Sequence, residues 1–495
     1  MVLTPEEIYQ AVDLHFKKKG LSQDSALTFD DVALLDLYSR IPSRSDIKNT
    51  TGRLAKNIFL NTPIISANMD TITESRMAIA MARLGGLGFI HQFLPIENKK
   101  KEVELVKRAD SAIIERPLVV PPDTTLKEAR KLMASYGISS LLVVDENTEV
   151  LIGILSHRDY QFEKEEDKKV GDLMTKKPGL ITARWGSNLK MAQELLLQHK
   201  IEKLPLLDKK GRVRGLITTK DLEKTIKYPN ASRDQKGRLL VGAAVGINSD
   251  FLGEAEELLK ADTDVILVDT ARGNSERMVS AIRAIREKFG NELPIAAGNV
   301  ATAEGTLKLI EAGSDCVKVG IGPGAACVTR LMTGVGVPQL TAIAQCSAVA
   351  SKFYIPVIGD GGIRYPGDLV KALAAGADTV MIGRLLSATE ETPGSVITKG
   401  DKRLKVYRGS ASYESQLIRS DWSDEDREKN FRVPEGELVE VEYRGEAAPI
   451  INKLIGGLRS AMSYVGTWTL EEFRMKARFV TQTRAGFEEG KSHDI

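Results

Sequence analysis

The sequence predicts an α/β fold: a closed (β/α)8 TIM barrel carrying a second, inserted unit. Three observations predict it: eight short apolar runs ending in Gly, Asn or Asp, a helical pattern after each, and an internally repeating stretch between the second and third runs. The runs are PIISANM (63–69), LGFIHQ (87–92), LVGAAVGI (240–247), VILVDT (265–270), PIAAGNV (294–300), CVKVGIG (316–322), IPVIGDGG (355–362) and TVMIGR (379–384). Short, apolar and separated by amphipathic helices such as SERMVSAIRAIREKFG, they read as parallel strands buried on both faces. Their number favours closure over an open doubly wound sheet. Closure places the active site at the strand C-termini, where the Gly, Asn and Asp residues fall.

Residues 1–110 and 230–495 carry the barrel, and 111–229 form the insertion. Within it, TTLKEARKLMASYGISSLLVVDENTEVLIGILSHRD (124–159) returns as SNLKMAQELLLQHKIEKLPLLDKKGRVRGLITTKD (187–221). Each copy is a helix followed by strand, turn, strand and an acidic close, so two units of one fold are expected, over about 112–168 and 171–229. In Ser156-His-Arg-Asp159 and Thr218-Thr-Lys-Asp221 the carboxylate reads, at its simplest, as a helix cap.

At 495 residues and 42% hydrophobic content the chain is too long for one ordinary domain and apolar enough for a large core. Its net charge of +2 comes from 69 basic and 67 acidic residues, well mixed, so nucleic acid and anionic membrane are not expected partners and small molecules are. Cys316, Cys327 and Cys346 form no CxxC pair and no metal-ligand spacing, which suits a reducing cytosol. The N-terminus lacks the apolar core of a signal peptide and no run is long enough to span a bilayer, so a cytoplasmic protein is expected.

Chemistry centres on GIGPGAACVTR (320–330), at the end of the sixth strand. Three glycines in five residues let the backbone turn sharply and aim several carbonyls or amides at one spot. A lone cysteine is most often a small buried hydrophobe. Placed in a glycine loop at the catalytic rim of a barrel, Cys327 reads instead as a nucleophile, with Thr329 beside it. Asp360-Gly361-Gly362 and Gly383-Arg384 follow strands seven and eight, the phosphate-binding positions of this fold. Glycine amides and the Arg384 guanidinium could hold a monophosphate there, and Asp360 the ribose hydroxyls. The two glycines might equally serve only the turn.

The segments LTFDDVALL (27–35), ANMDT (67–71), KYPNASRDQKGRLLVGAAVG (227–246), VDTARGNS (268–275), AAGNVAT (296–302), GIGPGAACVTR, IGDGG (358–362), KVYRGSAS (405–412), VPEG (433–436) and GGLRSAMSYVG (456–466) together resemble the IMP dehydrogenase/GMP reductase family, in its order. The inserted repeat resembles a tandem CBS (Bateman) module. The family resemblance implies that Cys327 attacks purine C2 with help from Thr329, and that carbonyls of Gly322, Gly324 and Cys327 hold a monovalent cation, K+. It implies substrate contacts from Ser66, Met69, Asp360, Gly362, Gly383, Tyr407, Gly409 and Glu435, and cofactor contacts from Asp269, Thr270 and Asn299; Ala325 and Arg384 stand where the family usually has phosphate-touching serines, one loss and one gain of a phosphate group. In the CBS module, Ser156 and Thr218 would meet phosphate, and Asp159 and Asp221 the ribose of ATP or GTP. A homotetramer is implied, with octamers a further option.

The two activities of the family differ in one part. The dehydrogenases use an adjacent Arg-Tyr pair on a flap to activate water. Between GSAS and VPEG this chain reads YESQLIRSDWSDEDREKNFR, with Ser423 and Asp424 at the positions of that pair. A reductase needs no such base but does need an acid beside the departing amine, for which the resemblance points to Thr329 and to the position held by Tyr413, with Glu414, one place along, the nearest acid. The expected activity is therefore GMP reductase, acting on GMP with NADPH. The alternatives are an IMP dehydrogenase using NAD and a substitute base, and a catalytically idle nucleotide sensor.

Overall fold

The computed structural model of the chain describes residues 3–110, 113–115, 117–187, 189–219, 227–247, 250–417 and 434–491. Eight parallel strands close into a ring in chain order: β1 (Ile64–Ser66), β2 (Leu87–Ile90), β3 (Gly242–Val245), β4 (Val265–Asp269), β5 (Ile295–Val300), β6 (Cys316–Val319), β7 (Val357–Asp360) and β8 (Thr379–Ile382). Each apolar run contains one of them, and the predicted barrel is the fold observed.

The barrel helices are α1 (Ser75–Arg83), α2 (Ile96–Ala109), α3 (Phe251–Lys260), α4 (Glu276–Phe289), α5 (Ala303–Glu311), α6 (Gln339–Ala350), α7 (Pro366–Ala375) and α8 (Ala447–Val465). Local chemistry fixes their starts. The side chains of Asp250, Ser275 and Thr302 accept the amides of Gly253, Met278 and Gly305, closing α3, α4 and α5 at their N-termini. Such caps contribute about 1 kcal/mol each.

Alternate residues of successive strands, including Ile65, Leu87, Phe89, Leu267, Ile358 and Met381, pack into one buried cluster. This is the filled interior of a small barrel rather than a pore. Gly242 shows how tight the filling is. A Cβ at that position would lie 2.3 Å from the Phe89 ring, so only glycine lets β3 pass beside it.

Two features of the strands set up the rim. In β5 the pairing with β6 shifts between Gly298 and Val300, leaving Asn299 as an unpaired bulge residue at the strand's C-terminal end. After β8 the chain forms a three-stranded antiparallel sheet, Ile397–Lys399, Lys402–Arg408 and Leu438–Glu442, which delivers Tyr407 and Gly409. Arg408 fastens this sheet to the loop after β1, its Nε donating to Asp70 Oδ2 at 2.6 Å.

The chain divides into two compact units, one of Met1–Ala109, Asn230–Asp234 and Leu239–Ile495, the other of Asp110–Pro229 and Gln235–Arg238. Taken by itself, the second unit is two copies of one pattern. Ser140–Val144 pairs antiparallel with Leu151–Ser156, and Lys203–Leu207 pairs with Val213–Thr218; both ladders slip at the same place, before Val144 and before Leu207. Leu142, Leu151 and Ile154 of the first copy meet Leu207 and Leu216 of the second in a shared core.

Candidate active site

A lysine that sequence reading passed over organises the barrel mouth. Lys318 lies in β6 with only 3% of its surface exposed. Its ammonium bridges Asp269 Oδ1 at 2.9 Å and Asp360 Oδ2 at 2.7 Å, carboxylates at the ends of β4 and β7. Burial alone would depress its pKa. The two carboxylates outweigh that and hold it charged, above its ordinary value. Two amides complete the network: Asn299 Nδ2 donates to Asp360 Oδ2 at 2.9 Å, and Asn68 Nδ2 to Asp269 Oδ2 at 2.9 Å. Strands β4, β5, β6 and β7 and the loop after β1 are thereby tied at one level, and each carboxylate is fixed in orientation. The signal for Lys318 was available, since a lone cation inside CVKVG is costly to bury unless carboxylates face it.

Cys327 stands beyond this layer in the glycine-rich loop. Gly320 (φ +149°) and Gly322 (φ +85°) adopt backbone conformations that side chains disfavour, and they turn the chain back over the mouth. The loop is stitched to the VPEG segment: Val328 N donates to Glu435 O at 2.9 Å and Glu437 N to Ala326 O at 3.0 Å. Gly409 packs on the other side so closely that a Cβ there would lie 2.7 Å from Ala326 O. The Cys327 thiol donates to Thr329 Oγ1 at 3.2 Å, and the Thr329 hydroxyl donates to Glu435 Oε2 at 2.8 Å. Sulfur, hydroxyl and carboxylate form a chain along which a proton can leave the thiol or reach a group bound above it.

The other cysteines are chemically idle. Cys316 and Cys346 are fully buried, and burial pushes Cys346 up to about 12 and Cys316 up as well. Cys327 alone is part-exposed and faces a cavity of about 200 Å³.

Met69, Asp269, Thr270, Asn299, Gly322, Gly324, Thr329, Asp360, Tyr407, Gly409 and Glu435 all line that cavity with Cys327. Tyr407 is 3% exposed; burial, reinforced by the negative charge of Asp360, pushes its phenol up to about 12, so it is a neutral O–H donor. Gly383 lies beside Met69 and Tyr407. Gly361 and Gly362 both have positive φ, +87° and +83°, at the turn after β7. Arg384 follows, exposed.

Two of the expected residues stand apart from the cavity. Glu414 does not line the cavity; it sits in the short helix Tyr413–Leu417, and the acid that reaches Thr329 is Glu435, brought across from 106 residues away. Ser66 is fully buried below the mouth, where its hydroxyl accepts from Thr73 Oγ1 at 2.9 Å. In the second unit, Asp159 accepts from Ser156 N at 2.6 Å, Ser156 Oγ at 2.7 Å and Thr175 Oγ1 at 3.0 Å, the geometry of a helix cap. Thr218 ends the equivalent strand of the second copy. Asp221, Ser423 and Asp424 lie outside the described residues.

One atom bears on a cofactor. Asn299 Oδ1 is buried at the cavity wall with no hydrogen-bond partner, an acceptor that suits the carboxamide N–H of a nicotinamide ring.

Comparison with known proteins identifies the family of the chain. A family model described as IMP dehydrogenase / GMP reductase domain matches residues 26–493. Inosine-5′-monophosphate dehydrogenase of Aquifex aeolicus is 51% identical over 95% of this chain and 95% of its own length, and that of Bacillus subtilis 46% identical over 97% and 96%. Among solved structures, GMP reductase from Trypanosoma brucei in complex with guanosine 5′-monophosphate superposes with a TM-score of 0.89 at 40% identity, covering 96% of this chain and 99% of that one. The same trypanosomal enzyme in complex with guanosine 5′-triphosphate gives 0.78 at 36% identity, over 93% and 99%.

Proposed function

The chain belongs to the IMP dehydrogenase/GMP reductase family of purine-nucleotide oxidoreductases, and from that premise we propose that it is a GMP reductase, converting GMP and NADPH to IMP, ammonia and NADP. The observation that carries this reading is a mismatch between two parts of one site. The Cys327–Thr329–Glu435 relay is complete, whereas residues 413–432 hold no adjacent Arg-Tyr pair to activate water.

The residues divide the work as follows. Cys327 sulfur, its proton passed through Thr329 to Glu435, bonds to C2 of the purine. Glu435 then returns a proton through Thr329 to the exocyclic amine, which departs as ammonia when its C–N bond breaks. NADPH, when bound, supplies the hydride that takes the amine's place at C2 and allows the C–S bond to break. Asp269, Thr270 and the free Asn299 Oδ1 are the groups placed to orient it. Asp360, fixed by Lys318 and Asn299, holds the ribose; Gly362, Gly383, Arg384 and Tyr407 hold the phosphate. Carbonyls of Gly322, Gly324 and Cys327 are the candidate ligands for K+.

The curated relatives favour a second reading, since the 51% identical Aquifex protein is named a dehydrogenase. Under it, IMP and NAD would give XMP, with Thr329–Glu435 drawing a proton from water in place of the Arg-Tyr pair. Absorbance at the reduced-nicotinamide band, with purified protein given GMP plus NADPH and then IMP plus NAD, separates the two. Loss of signal in the first assay supports the reductase, gain in the second overturns it, and silence in both leaves an idle sensor.

For the inserted unit, we propose a tandem CBS module that takes ATP or GTP at Ser156/Asp159 and Thr218/Asp221. The triphosphate complex of the trypanosomal neighbour supports a nucleotide of that class. A homotetramer is the assembly proposed for the chain, testable by sedimentation.

A further inference from the structure

A second cavity of the barrel unit, about 940 Å³, lies away from the mouth. It opens at the opposite end, among residues that precede the strands: Arg53 before β1, Ile355 and Pro356 before β7, and Asp378 before β8. The helices Pro5–Lys19 and Leu470–Lys476 contribute to its walls. Its size lies within the range of small-molecule sites.

Its charge is unbalanced. Lys18, Lys19, Arg53, Arg474 and Arg478 line it, against only two carboxylates, Asp378 and Glu471. Asp378 is already committed, ion-paired to Arg474 and accepting Val357 N at 2.9 Å. Lys19 is 4% exposed, and among the described residues its ammonium has no carboxylate partner; it donates to the Arg474 carbonyl. Two further donors are buried and unsatisfied. Ser347 Oγ, in a residue 4% exposed, and Arg474 Nε both lack a hydrogen-bond partner. A hydroxyl and a guanidinium N–H left without acceptors, beside a buried ammonium that meets one carbonyl and no carboxylate, are costly unless an acceptor fills the cavity. His15, in the same wall, donates Nε2–H to Ala375 O at 2.9 Å and adds no acid.

We propose that this cavity at the N-terminal end of the barrel binds a small phosphate-bearing anion, at a site separate from both the catalytic mouth and the inserted unit, with Lys19, Ser347, Arg474 and Arg478 as its donors. A phosphoryl group supplies the missing acceptors and neutralises the excess charge. The site is independent of which reaction Cys327 performs.

One consequence can be read directly. Burial, with Arg478 and Arg474 nearby, lowers Lys19 to about 7, so just above neutral pH it is partly uncharged. The charged groups facing it are Lys18 from its own helix, Glu471 and Arg474 from Leu470–Lys476, Arg478 beyond it, and Arg53 and Asp378 from the barrel end. A bound anion favours the ammonium, so binding takes up a proton.

The test is calorimetry on the intact chain with inorganic pyrophosphate, just above neutral pH, in two buffers of different ionisation enthalpy. The expected result is a binding event with proton uptake that weakens tenfold or more in Lys19→Met, in Ser347→Ala and in Arg478→Ala. Arg478→Ala, at a half-buried position, keeps the test readable if Lys19→Met does not fold. Absence of pyrophosphate binding, or binding and proton uptake unchanged in the variants, overturns the proposal. Equal affinity for succinate overturns the phosphate specificity.

Discussion

Thr329 Oγ1 lies 2.8 Å from Glu435 Oε2, and through that contact the Cys327 thiol is connected to a carboxylate. A group that both accepts the thiol proton and protonates the leaving amine acts twice in one turnover, so its removal should be costly. Glu435→Gln keeps the shape and loses the proton chemistry; it should slow GMP reduction about a hundredfold or more, the usual size for a positioned acid–base group. Steady-state kinetics should place the loss in kcat rather than in KM. Glu414→Gln, off the cavity, should change kcat by less than about threefold, within the effect of an ordinary surface substitution. The reverse pattern would restore Glu414 to the mechanism.

The nucleophile itself admits a sharper test. Cys327→Ala removes the sulfur but leaves the loop's backbone ties to Glu435 and Glu437. Turnover should vanish while GMP still raises the melting temperature, because ligand binding to the folded state stabilises it by mass action. Residual covalent adduct or retained turnover in Cys327→Ala would remove covalent catalysis from the account.

Lys318 carries a prediction about stability. Replacing it with Met leaves Asp269 and Asp360 partly buried, each short of its cation. Breaking such a pair costs about 3–5 kcal/mol, and urea unfolding should show a loss of that order. Lys318→Met combined with Asp269→Asn should recover part of it, since one of the two stranded charges is then gone. Recovery of nothing would mean that the cost lies in packing.

Much of the barrel is legible in the amino-acid sequence. Buried parallel strands leave a local signature, and all eight runs contain a barrel strand because no solvent-facing side interrupts them. Cys327 was legible because its glycines announce a turn at a strand end. Contacts across the sequence were not. That Glu435 comes to rest on Thr329 is a contact across a separation of 106 residues, whereas the acid nearest the position expected from the resemblance is Glu414. The placement of Ser66 was illegible for a related reason. Strand periodicity assigns a residue to a strand end, but only packing decides whether its hydroxyl meets the cavity or Thr73.

The barrel's lower end should show in the pH dependence of stability. Burial is the chief cause that lowers His15 to about 4, against an ordinary value of 6.5. The unfolded chain therefore binds this proton more readily than the folded one between those two values. Stability from the neutral, buried His15 is complete above about pH 6.5 and is lost as pH falls toward 4, by about 3 kcal/mol in all. Carboxylates titrate in part of the same window, so the measurement is a difference. The melting temperature of wild type minus that of His15→Gln should fall between those pH values and stay flat above neutrality. A flat difference throughout would show that His15 is hydrated when the chain folds.

Under the proposed reading, the sequence between GSAS and VPEG separates the two activities. In the proposed reductase, water has no activator at residues 423 and 424, where Ser and Asp stand. Converting them to Arg and Tyr supplies the missing pair in sequence but not the surroundings that would hold it. A base held only by chance is loose by an ångström or so, which is enough to forfeit most of its effect. Ser423→Arg with Asp424→Tyr should thus give at most weak oxidation of IMP by NAD, while GMP reduction falls only modestly, since Cys327, Thr329 and Glu435 are untouched. Product analysis by chromatography distinguishes XMP from IMP directly. Rapid XMP formation by the unaltered chain would mean that Thr329 and Glu435 suffice to activate water, and the enzyme would then be a dehydrogenase built on the same relay.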